Sequence, residues 1–143
     1  MTTSLENAIN KQLSLLCELK VVLEQELHLI SSREPETLMQ LLNDKQALLA
    51  DIESQDQAVE IMYKRVAEQS AIPDACQALL EDCKKVLGEC KYLTAINAKS
   101  VEHGQLRLVH LRNMMMELRA KESMTYNRAG LAIGDSAGKG VSV

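Results

Sequence analysis

Cysteine, histidine and paired carboxylates are the side chains of this 143-residue sequence best equipped for chemistry, and their spacing argues against it. Cys76, Cys83 and Cys90 stand one heptad apart, which on a helix separates neighbours by ~10 Å along one face. That is beyond disulfide reach and wrong for a zinc site, and neither these three nor Cys17 form a CxxC pair. They read as small seam residues, and with no secretory signal before them the expected setting is reducing and cytoplasmic. His103 and His110 lie two turns apart, whereas a helical zinc pair needs about one turn, and His28 is distant in sequence. Glu24 with Glu26, and Asp51 with Glu53, are two apart and diverge on a helix as a solvated face. No glycine-rich loop precedes a Lys-Ser or Lys-Thr pair, so nucleotide binding has no support. The expectation is no catalytic residue, no metal, no cofactor and no enzyme activity.

Methionine offers a softer chemistry. Around Leu106, Leu108, Val109, Leu111, Met114, Met115, Met116 and Leu118, apolar residues spread round a helix instead of lining one face. Three consecutive methionines are flexible and polarisable, able to re-pack against more than one surface. Two readings follow: an exchangeable protein-binding surface, or a seam buried in the core or against a second copy. The first takes Leu108, Val109, Leu111, Met114, Met115 and Leu118 as residues that bind a partner chain.

The elements that position this stretch are helical. With no Trp, no Phe and only Tyr63, Tyr92 and Tyr126, the chain lacks the aromatic residues on which strands and compact cores draw. Leu5, Ile9, Leu13, Leu16, Leu19, Leu23, Leu27 and Ile30 form one helical stripe, which predicts a first helix over about 4–32. Pro35 at a first helical position, with Glu34 and Glu36 beside it, opens a second helix over about 35–70. Its stripe runs Leu38, Leu41/Leu42, Lys45, Leu48/Leu49, Ile52, Val59, Met62/Tyr63 and Val66. Lys45, Gln55 and Asp56 fall on or beside its seam, and Lys45 reads as an apolar stem with its ammonium in solvent. Pro73 opens a third helix over about 74–122, with the cysteine heptads in its early half and the methionines in its late half.

Short links between long helices force antiparallel neighbours. The predicted fold is all-α: an elongated, antiparallel three-helix up-down-up bundle, coiled-coil-like, with a long third helix. At equal rise per residue the second helix covers the third only to roughly residue 109, leaving Leu111–Leu118 overhanging. Gly104 stands where a bend is expected. Residues 1–122 form the bundle and 123–143, which hold four of the six glycines, a flexible tail.

The net charge of −4 is unevenly spread: residues 1–62 carry eleven acids and four bases, residues 99–128 six bases and three acids. The acidic balance and the scarcity of aromatic stacking platforms disfavour nucleic acid, and no run reaches the length of a membrane span. A monomer or weak dimer is expected.

The run Leu23-Glu24-Gln25-Glu26-Leu27 through Glu36, Leu38, Leu41-Leu42, Lys45, Leu48-Leu49 and Ile52 resembles the FlgN-type flagellar export chaperones. Tyr126 beyond a long helix, followed by a glycine-rich end closing on Gly138-Lys139-Gly140-Val141-Ser142-Val143, is similar in placement to that family's C-terminal tail. The resemblance implies a cytosolic chaperone of flagellar type III export. Its partners would be C-terminal segments of hook-associated proteins at the hook-filament junction, taken up by the C-terminal helical region. It also implies that Tyr126 helps dock the loaded complex on the export gate. The three methionines and Gly104 match nothing in the family pattern. The alternative is a self-associating structural coiled-coil adaptor with no export role.

Overall fold

The computed structural model describes the backbone of residues 2–129 and the side-chain environment of residues 2–124. Three helices follow in order, α1 (Thr2–Ser32), α2 (Pro35–Gln69) and α3 (Asp74–Ala129), and no strand occurs among the described residues. The chain divides after Val101. The first unit holds α1, α2 and the early part of α3. The second begins at Glu102.

Contacts along the first unit fix the directions of its helices. Gln12 Nε2 donates to the Ile52 carbonyl at 3.2 Å and Gln55 Nε2 to the Ala8 carbonyl at 2.8 Å. Lys45 meets Glu26 further along, so α2 numbers fall as α1 numbers rise and the two helices are antiparallel. Against α3 the numbers rise together: Cys83 Sγ donates to the Ile9 carbonyl, Cys90 Sγ to that of Leu16 and Asn97 Nδ2 to that of Leu23. The same register recurs each heptad, so α1 and α3 run parallel and the bundle is up-down-up.

The core of this unit forms where the heptads of all three helices meet. Leu5, Ala8 and Ile9 of α1 pack with Val59 and Val66 of α2 and Cys76 of α3. Leu19 and Leu23 pack with Leu48 and Cys90 in a second cluster. Fully burying one such Leu or Ile contributes about 1.5–3 kcal/mol. Gln12 sits on α1 in sequence between the clusters and is itself buried.

Helix ends follow local chemistry. α1 stops at Ser32 because Arg33 takes a left-handed φ of 57°, the usual way to end a helix but one that favours glycine. Pro35 opens α2 where its missing N–H is no loss, with Glu36 in the first turn. The Ser70 N–H closes α2 on the Val66 carbonyl at 2.9 Å, and the Pro73 carbonyl accepts the Gln77 N–H to begin α3.

One particular differs from the sequence reading. α3 continues to Ala129 instead of ending near residue 122, since Ser123–Ala129 contain neither Gly nor Pro and the next breaker is Gly130. Gly104 lies within α3, with open space where a Cβ would stand. Of the flexible tail expected over 123–143, residues 123–129 belong to α3 and 130–143 lie outside the described residues.

Candidate functional site

Position by position, α3 changes character along its length. Its inward heptad positions in the first unit are Cys76, Cys83, Cys90 and Asn97, with Leu79, Val86 and Leu93 alongside. Buried Cys76 and Cys90 and half-buried Cys83 let the backbone of α1 approach closely, and two of the thiols donate to its carbonyls. Burial pushes all three thiols above the ordinary cysteine pKa, with nearby carboxylates adding to the shift. They stay protonated and unreactive at neutral pH.

The heptads end in a polar layer drawn from all three helices. Asn97, only 4 % exposed, donates from Nδ2 to the Leu23 carbonyl at 3.0 Å and to Glu26 Oε2 at 3.2 Å. Lys45 Nζ reaches the same carboxylate oxygen at 3.0 Å, and the two charged side chains are 21 % and 11 % exposed. The lysine therefore does not hold its ammonium free in solvent, as its sequence position suggested. A carboxylate facing it across the α1·α2 seam captures it, because a shielded Glu26 needs a cation more than the lysine needs water. The Asn97 amide orientation follows from its two acceptors, which require the NH₂ on that side. Its Oδ1 is buried without a partner.

A more exposed pair, Lys20 with Glu89, joins α1 to α3 at 2.6 Å. Hydrogen bonding and attraction to Glu89 raise the Lys20 pKa, and hydrogen bonding to Lys20 lowers that of Glu89. Such a surface pair contributes little to stability.

From Val101 to Lys121 every residue is exposed. Leu108, Val109, Leu111, Met114, Met115 and Leu118 range from 47 % exposed at Met114 to 62 % at Leu108, and Leu106 and Met116 are equally open. Exposure begins earlier than the residue 109 expected from the length of α2. The hydrogen bonds from Cys83, Cys90 and Asn97 all run to α1. Leu111 and Leu118 continue the seven-residue spacing of Cys90, Asn97 and Gly104 along the sequence, and both are exposed. Contiguous exposed apolar residues mark a surface for another molecule. Tyr126 lies on α3, and its side chain is outside the described residues. Among the described residues no cluster of His, Cys, Asp or Glu suits a metal ion, and no helix is long and apolar enough to cross a membrane.

The buried polar residues Gln12 and Glu26 were absent from the stripe read on α1, which placed Leu13 and Leu27 there instead. Their signal was period seven: Leu5, Gln12, Leu19 and Glu26 fall on one heptad position, and all four are buried.

Fold and surface together define an all-α bundle whose last helix ends in an open apolar stretch. The family model described as FlgN protein matches residues 1–132 of the 143, and the chain belongs to the FlgN family, a family of flagellar export chaperones. No curated protein and no solved structure matches it.

Proposed function

We propose that this chain is a cytoplasmic chaperone of flagellar type III export. It binds C-terminal segments of hook-associated proteins, keeps them from premature association and delivers them to the export gate. The client lies along α3, with Leu108, Val109, Leu111, Met114, Met115 and Leu118 as its principal contacts and an apolar helix stripe as the matching surface. The observation that carries this reading is the run of half-exposed to exposed apolar residues from Leu106 to Leu118, within the part of the chain matched to the family. A junction protein's terminal segment that pairs helically in the assembled filament is adhesive as a monomer, and a flexible methionine surface can shield it without tight shape matching. Release needs no nucleotide, since a contact of modest apolar area dissociates readily once the client is engaged elsewhere. Tyr126 helps dock the loaded complex on the gate.

Deleting residues 105–143 tests the client site. Among the described residues all the buried ones lie at or before Asn97, so the shortened chain is expected to keep its helical fold. In a pull-down with a hook-associated protein's C-terminal segment it should capture nothing, and capture equal to that of the full chain would remove the site from α3. Tyr126→Ala separates the two roles: client binding persists and export falls. Equal loss of both would put Tyr126 in the client site.

A further inference from the structure

The first unit carries a cleft of about 930 Å³ whose sides are α2 and α3 and whose floor is Ile9, Gln12 and Leu16 of α1. Its walls are apolar, with Leu49, Tyr63 and Leu87 substantially open to solvent. Its charged lining is strongly one-sided. Glu53 and Asp56 stand on α2 and Asp74 and Glu81 on α3, against a single base, Lys84, which is already paired with Glu81 at 3.4 Å.

Late α3 has the opposite character. Between Gln105 and Lys121 it carries Arg107, Arg112, Arg119 and Lys121 against Glu117 alone, interleaved with the exposed leucines and methionines. The cleft spans Asp74–Leu87 on one wall and Leu49–Tyr63 on the other, about 20 Å at helical rise. Leu106–Lys121 covers a similar length. A fourth helix laid between α2 and α3 would complete a four-helix bundle, the arrangement that most fully buries such walls.

We propose that the acid-rimmed cleft of one copy receives the basic, methionine-rich segment Leu106–Lys121 of a second copy, so that the chaperone without a client shelters its own binding helix. This rests on the reading of that segment as an exchangeable protein-binding surface. Each copy offers one cleft and one helix, so a two-fold exchange satisfies both. Opposite charge along the rims orients the contact and makes it sensitive to salt. Client and second copy compete for the same helix.

The test uses full-length chains in sedimentation equilibrium across a dilution series at low and high salt. Wild type is expected to dimerise reversibly, more weakly in high salt. Glu53→Lys with Glu81→Lys, and separately Arg112→Glu with Arg119→Glu, should each weaken self-association about tenfold or more. Mixing the two double variants should restore a dimer, because the basic cleft of one then meets the acidic helix of the other. That restoration excludes misfolding as the cause of the losses. The cleft variant should bind a hook-associated C-terminal segment at least as tightly as wild type. A wild type that stays monomeric, a dimer indifferent to both double variants, or a mixture that stays monomeric would each overturn the proposal. Loss of client binding in the cleft variant would do the same, by making the cleft the client's site. Failure of the client to bind wild type would instead refute the proposed function and leave the dimer result standing.

Discussion

Replacing Lys45 by methionine probes the polar layer that closes the core of the first unit. The substitution keeps the apolar stem and removes the ammonium 3.0 Å from Glu26 Oε2. Breaking a fully buried ion pair by removing one partner costs about 3–5 kcal/mol, because a charge is left unpaired in a poorly solvated site. Here Glu26 keeps its hydrogen bond from Asn97, and the pair retains some solvent, with the glutamate side chain 11 % and the lysine 21 % exposed. The expected loss is therefore about 2 kcal/mol. With a urea m-value of about 1–3 kcal/mol/M the unfolding midpoint should fall by roughly 1 M with the slope unchanged. Glu26→Leu on the wild-type background strands the ammonium and should also destabilise. Glu26→Leu combined with Lys45→Met should recover most of the loss, since an apolar pair of similar volume replaces the ionic one. A Lys45→Met variant as stable as wild type, with no coupling in the double-mutant cycle, would show the lysine to be solvent-supported and the layer unimportant.

Three further outcomes follow from particular residues. Gly104→Ala meets open space, so late α3 should gain up to ~1 kcal/mol of helix stability, read as slower amide exchange over residues 102–124; faster exchange would refute it. Arg33→Gly relieves a left-handed φ of 57° and should raise the urea midpoint by an amount equivalent to about 0.5–1 kcal/mol, whereas a fall would mean that the arginine side chain matters more than the backbone. Glu89 has a lowered pKa through its bond to Lys20, so its contribution is present above the unfolded carboxylate pKa and is lost as pH falls through the lower folded value. Wild type and Glu89→Gln should accordingly differ slightly in unfolding midpoint at neutral pH and converge in acid, and a gap that widens on acidification would contradict the sign.

The helices were legible because their signals are local. Pro35 and Pro73 mark the two restarts, and leucine periodicity marks the faces. The cysteine heptad announced a seam, and Cys76 and Cys90 are buried in it. Buried polar residues were harder to read, since a lysine at a seam position snorkels or pairs according to what stands across from it. Only the folded register brings Glu26 opposite Lys45. The reach of the cover along α3 was overestimated because helix lengths say how far cover could extend and not where packing stops, and exposure begins at Val101. The composition of Leu106–Leu118 stood out in sequence, and its exposure needed the three-dimensional arrangement.

Calorimetric titration of the full-length chain with a hook-associated protein's C-terminal segment tests the central claim most directly, comparing wild type with Met115→Glu. Met115 is about half exposed, so the substitution should leave the helicity unchanged while placing a carboxylate under the client. Burying that charge should cost at least about 1.4 kcal/mol, a tenfold or greater loss of affinity. Equal affinity for the two chains would contradict the assignment of the client to this end of α3.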